Sequence, residues 1–216
     1  MPEFESLENP DSELASELYS ADGVLLGKYF RENRTPVTYN ELSPNIINAL
    51  IATEDERFED HSGIDPRALA RVFVKSILLR QKNAGGGSTL SQQTAKNLFK
   101  TRSGDSQGLL SNVPVLRMII IKTKEWIVAT KLESAYTKDE ILTMYLNTSD
   151  FGSNAFGVKT AAKTFFNKDT RDLSIQESAT LVGLLKAPSY YSPVYNAENS
   201  TRRRNTVLAQ MKNGEY

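Results

Sequence analysis

Helix-opening signals recur between residues 43 and 177, each standing directly ahead of an apolar stripe, and they leave room for little except a mainly helical protein. Ser43-Pro44 sets an N-cap before a proline at the first helical position, and Ile46, Ile47, Leu50 and Ile51 follow on one face. Asp65-Pro66 repeats the device ahead of Leu69, Val72, Phe73 and Ile77. Residues 83–87 break the pattern with glycine, and Ser88-Thr89-Leu90-Ser91-Gln92 opens a new helix, with Thr89 and Gln92 at capping-box spacing. Pro114 starts a helix expected to reach about Tyr136. Thr137 with Glu140 and Ser174 with Glu177 form further capping boxes, the second opening a helix that must stop before Pro188. A last helix is expected over residues 197–213, with Gly214 as its C-cap. Only residues 17–30 read as extended: they alternate in polarity and hold Asp22-Gly23, a two-residue hairpin signal. Residues 1–16 read as an acidic tail or linker, and residues 17–216 as a single domain.

Composition narrows the chemistry. Lys+Arg and Asp+Glu both number 26, so there is no basic field for a nucleic-acid backbone, and nucleic acid is excluded as a partner. The chain has no cysteine and a single histidine, His61, which removes disulfide frameworks, thiolate metal sites and any mechanism needing two histidines. No apolar run approaches the roughly 18 residues of a membrane span. The chemistry must rest on carboxylates, hydroxyls, amides and cations.

Two carboxylates fall on apolar stripes. Glu54 continues the Ile47, Leu50, Ile51 stripe at +7, +4 and +3, while Asp55 and Glu56 point elsewhere. Glu125 sits among Met118, Ile121, Val128, Ala129 and Leu132. Burying an ionised carboxylate is expensive, so such a group is paired or used. Desolvation would move it towards the range of a general base. Pairing has obvious partners, Arg57 at +3 from Glu54 and Lys122 at −3 from Glu125. Two inward glutamates suggest a sugar-handling cleft, and their spacing in sequence does not separate hydrolysis from transfer.

Cations add a second theme. Arg71, Lys96, Lys122, Arg203 and Arg204 all lie on expected helices. Gly85-Gly86-Gly87-Ser88-Thr89 runs into a helix N-terminus, where backbone N–H groups favour an anion such as phosphate; a flexible connection is the plainer reading of the glycines. It is not a nucleotide P-loop, because no Lys-Ser or Lys-Thr follows at the required offset. Carboxylates with phosphate-binding parts point to glycosyl transfer from a phosphate-activated sugar.

The chain also resembles the family 51 peptidoglycan glycosyltransferases, the polymerase domain of bifunctional penicillin-binding proteins and of monofunctional cell-wall transglycosylases. Five ordered strings carry the resemblance: Ala52-Thr53-Glu54-Asp55-Glu56-Arg57-Phe58 with His61, Gly63 and Asp65; Gly86-Gly87-Ser88-Thr89-Leu90-Ser91-Gln92-Gln93 with Lys96-Asn97; Lys122, Glu125, Ala129, Leu132 and Glu133; Lys138-Asp139-Glu140-Ile141-Leu142 with Tyr145-Leu146-Asn147; and Arg203-Arg204-Asn205 with Val207-Leu208. The resemblance implies a mainly α, lysozyme-like fold with a small N-terminal β-ribbon and a membrane-associated jaw lobe, with residues 101–121 as its membrane-facing part. It implies lipid II and the nascent glycan chain as substrates, at the outer, periplasmic face of the cytoplasmic membrane, with other cell-wall synthesis proteins as partners. It implies Glu54 and Glu125 as catalytic residues. Arg71, Ser88, Thr89, Gln92, Gln93, Lys96, Asn97, Lys122, Arg203 and Arg204 are implied to bind substrate or pyrophosphate, or to hold the cleft together. A divalent metal, Mg²⁺ or Mn²⁺, is implied near the phosphates, with Asp55 as its candidate ligand. One departure is Ile121, where the family often has arginine. The family's membrane helix and its transpeptidase motifs are absent from these residues, so the chain reads as an excised extracytoplasmic domain. A muramidase and an inactive lipid-pyrophosphate-binding scaffold are the rival readings.

Overall fold

The computed structural model describes residues 16–23, 25–29, 35–74, 86–99 and 114–216. Its described residues are mainly helical and divide into two compact units. One is built from Arg57–Tyr145; in the other, the described residues up to Glu56 join Leu146–Tyr216. The expected tail (all but Ser16), the buried face at Phe73 and Ile77, and most of the expected membrane-facing stretch lie outside the residues whose side chains are described.

Two strands come first, β1 (Ser16–Tyr19) and β2 (Leu25–Tyr29), paired antiparallel with an irregularity between Leu18 and Tyr19. The connecting turn differs from a two-residue Asp22-Gly23 loop. Ser20 and Gly23 bracket it, with Gly23 N–H donating to Ser20 O at 2.9 Å and Gly23 following at φ +82°. Only the glycine needs the left-handed region here, so it closes the turn instead of sitting at its centre.

The second unit packs around α1 (Pro44–Glu54), α6 (Val158–Phe166), α7 (Ile175–Leu185) and α8 (Ala197–Asn213). Helix α1 starts as its sequence dictates: Ser43 Oγ accepts the Asn45 N–H, and Pro44 occupies the first position, where no N–H is missed. Its apolar face, Ile46, Ala49 and Leu50, meets α7 and α8, which contribute Leu181, Leu184, Val207 and Met211 to the buried set. Helix α7 opens with the full Ser174–Glu177 capping box. Helix α6 has no such signal. It begins at Gly157, whose φ is +82° and whose absent side chain would stand 2.9 Å from Asn147 O.

The first unit contains α2 (Pro66–Phe73), α3 (Leu90–Phe99) and α4 (Pro114–Ala135), and α5 (Lys138–Thr148) begins in it. Asp65 caps α2 by accepting from Arg67 N–H (2.9 Å) and Ala68 N–H (3.0 Å). Thr137 and Glu140 form the α5 capping box. Helix α3 lies on α4 through Ala95, Val128 and Leu132, with Phe99 and Tyr136 packed against them.

Candidate active site

Glu125 is where its stripe puts it. Between Ile121 and the buried Val128, Ala129 and Leu132, its residue is 2% exposed. Its Oε2 accepts from Lys122 Nζ at 2.7 Å, one helical turn back, and the same ammonium donates to Ser88 Oγ at 2.8 Å. An ammonium has three N–H donors. Two are directed at Ser88 and Glu125, and Lys122 remains a third exposed, which leaves a donor for an anionic oxygen. Ser88 accepts from Lys122, so its own O–H is available to donate.

What delivers Ser88 to Lys122 is a carbonyl in the Arg57–Tyr145 unit. Gly63 O accepts from Thr89 Oγ1 (2.7 Å) and from Gln92 Nε2 (3.1 Å), both side chains being buried. Thr89 also accepts the Gln92 N–H at 3.2 Å, so the α3 cap exists in half. The Gln92 amide reaches Gly63 instead of turning back on Thr89, and the full capping box expected there does not form. Thr89 and Gln92 therefore direct donors to the scaffold. Gln93 takes a similar part, accepting from Tyr145 Oη at 3.2 Å.

A second network backs the first. Lys138 Nζ donates to His61 O (2.6 Å) and Glu133, and lies 4.4 Å from the Phe58 ring centroid; Ser91 Oγ also donates to Glu133. Arg57, expected as a partner for Glu54, bonds Asp65. Burial pushes the Asp65 carboxyl up, but the Ala68 N–H, Arg57 and the Arg67 N–H outweigh it and hold it below the ordinary value of 3.8.

Among the remaining candidates of this unit, Arg71 and Lys96 are exposed and Asn97 is half-buried. Glu54, Asp55, Arg203 and Arg204 belong to the other unit. Glu54 is the last residue of α1 and half-buried, whereas Asp55, expected to point elsewhere, is 7% exposed. The physical reason is that the helix ends at Glu54. Asp55 has φ −158° and ψ 75°, so the 100° step that places side chains along α1 no longer applies. Arg203 packs its Cγ against Gly183, 3.1 Å from where a Cβ would stand, and its guanidinium is 6.0 Å from the Tyr191 ring, while Arg204 bonds Asn205.

Sequence reading left Gly63 and Lys138 out of the candidate set, although both lie within the strings that carried the resemblance. A glycine nine residues after a helix end carries no partner information by itself. Its role shows only in the contacts with Ala129, Thr89 and Gln92.

The transglycosylase family model matches residues 22–212. The chain belongs to the transglycosylase family. It is 38% identical over 202 residues to penicillin-binding protein 1F of Bacillus subtilis (strain 168), covering 94% of this chain and 26% of that protein. It is 36% identical over 217 residues to penicillin-binding protein 1A of Escherichia coli (strain K12), covering 100% and 24%. For penicillin-binding protein 1A of Aquifex aeolicus (strain VF5) the identity is 38%, with 100% and 28% covered. The chain thus spans about a quarter of the length of these relatives. Membership of the transglycosylase family gives the Ser88–Lys122–Glu125 chain a chemical context.

A divalent ion held through phosphate oxygens needs one or two carboxylates beside its waters. No three His, Asp or Glu side chains converge among the described residues. Asp55 is buried at a helix end, and Glu125 already faces an ammonium. Among the described residues no protein cage of three ligands exists for the ion, and the proposed steps run through none. Among the described residues no helix is long and apolar enough to cross a membrane.

Proposed function

We propose that this transglycosylase joins lipid II units into a β-1,4-linked glycan at the outer face of the cytoplasmic membrane, using a lysozyme-like helical fold with a membrane-associated lobe. The 4-hydroxyl oxygen of the acceptor sugar attacks the anomeric carbon of the growing chain. As that C–O bond forms, the bond from the anomeric carbon to the pyrophosphate oxygen breaks, and the hydroxyl proton passes to the Glu54 carboxylate. Attack from the face opposite the leaving group turns an α-linked donor into a β link. The departing lipid pyrophosphate takes the electron pair as an already stable anion, so cations and hydroxyls can replace a protonating acid.

The observation that carries this reading is the Ser88–Lys122–Glu125 chain. Glu125 orients the ammonium, Ser88 accepts from it, and both Lys122 and Ser88 keep a donor for a pyrophosphate oxygen. Glu125 then acts by holding Lys122, not as a nucleophile. Lys96, Arg71, Arg203 and Arg204 are proposed to extend the cationic surroundings of the substrate, and Asn97 and Gln93 to contact it. Such cationic parts serve phosphate departure and have no task in glycan hydrolysis, which is why the muramidase reading is not favoured.

Incubating the chain with labelled lipid II tests the reading. Appearance of polymer with release of lipid pyrophosphate supports it. Shortening of preformed glycan, with lipid II left untouched, overturns it.

A further inference from the structure

A cavity of about 390 Å³ opens beside α6, lined by Thr35, Lys159, Thr160, Lys163, Thr164, Lys168 and Asp169. Three lysines around one hollow is an unusual lining, because like charges at i and i+4 on a helix repel each other. Lys159 and Lys163 are such a pair, and Lys159 stands in the first turn of α6, where the helix dipole disfavours a cation. Lys159 meets Glu41 only at 3.6 Å, and Lys168 is engaged by Glu177 at 2.9 Å. Lys163 makes no ion pair among the described residues. The one carboxylate of the lining, Asp169, accepts from the Thr170 hydroxyl at 3.3 Å.

Thr160 is 8% exposed with its Oγ1 closed off from solvent, so it forms part of the wall and offers the hollow no donor; the exposed hydroxyl beside Lys163 is that of Thr164. Thr164 is one turn further along the same side of α6. Asp169 is the one carboxylate among the lining residues, and with Lys159 and Lys168 partly engaged by Glu41 and Glu177, Lys163 is the ammonium left to meet an oxyanion.

We propose that this cavity is a second anion site, separate from the Ser88–Lys122–Glu125 chain, and that it takes a phosphate-class oxyanion on Lys163 with Lys159 and the Thr164 hydroxyl beside it. All its residues belong to the unit that carries α6, so it stands whether or not the proposed reaction mechanism does.

The test is an amide NMR titration of the full chain with inorganic pyrophosphate. Resonances of α6 are expected to shift saturably, and Lys163→Ala is expected to weaken that binding roughly tenfold. Lys163→Arg should retain it. Lys163 is exposed, so its replacement leaves the fold intact; any response at Ser88 and Lys122 should persist in Lys163→Ala, which separates the two sites. A second arm floats the chain on phosphatidylglycerol vesicles and on phosphatidylcholine vesicles. Lys163-dependent flotation on the first alone assigns the oxyanion to a lipid headgroup, whereas α6 shifts with pyrophosphate and no such flotation assign it to a free phosphate. Absence of both responses, or responses unchanged in Lys163→Ala, overturns the proposal.

Discussion

Gly63 lies against the backbone of Ala129 so closely that a Cβ would stand 2.8 Å from the Ala129 carbonyl carbon and oxygen, and its φ is +88°. Both facts exclude a side chain, and the Gly63 carbonyl is the acceptor that positions Thr89 and Gln92. Gly63→Ala is therefore expected to destabilise the fold by roughly 2–4 kcal/mol from backbone strain and overpacking together. Urea denaturation measures it; an unchanged midpoint would contradict the close approach.

Removing the Ser88 hydroxyl tests the phosphate role with little effect on the fold. Ser88→Ala should lower kcat for lipid II polymerisation by about tenfold, the scale of one hydrogen bond to a charged group. Lys122→Met should cost roughly 10²–10³, as loss of a main charge-stabilising donor does. Steady-state kinetics of both variants against wild type decides this. Full activity in Ser88→Ala would remove the hydroxyl from the mechanism.

Lys138 joins Glu133, the His61 carbonyl and the Phe58 ring in one contact set. Lys138→Met should cost about 3 kcal/mol, because Glu133 is largely buried and would lose its cation. Adding Glu133→Met should recover part of that loss, since no charge then remains in place. Thermal or urea unfolding of the single and double variants reads it, and a double variant no more stable than Lys138→Met would contradict the pairing.

Acid titration probes Asp65. Its folded value is depressed from the ordinary 3.8, so the stability it contributes is fully present above that value and fades as pH falls through the lower folded value. Wild type and Asp65→Asn should differ most near neutrality and converge on acidification into that range. A constant difference between them, followed by unfolding at each pH, would contradict the ion pair and caps assigned to Asp65.

What the sequence discloses and what it conceals divide by range. Ser43, Asp65, Thr137 with Glu140, and Ser174 with Glu177 act on N–H groups two or three residues away, so spacing reveals them. Glu125 and its Lys122 partner are likewise one turn apart on a helix that runs unbroken through both. Helix α6 escapes notice because it opens on a glycine with no side-chain cap. Asp55 is misplaced by periodicity because α1 ends one residue earlier. Ser88 meets Lys122 across 34 residues and Gln92 meets Gly63 across 29, and no local pattern encodes such contacts. The scaffold bonds of Thr89 and Gln92 to Gly63 are of the same long-range kind.

The proposed mechanism turns on Glu54 as the group that takes the acceptor proton. The direct measurement is the single-turnover rate of lipid II polymerisation by Glu54→Gln beside the wild-type chain, at matched unfolding midpoints. A general base accounts for roughly 10²–10⁴ in rate, and a loss of that size is predicted. Polymerisation by Glu54→Gln at the wild-type rate would contradict the account.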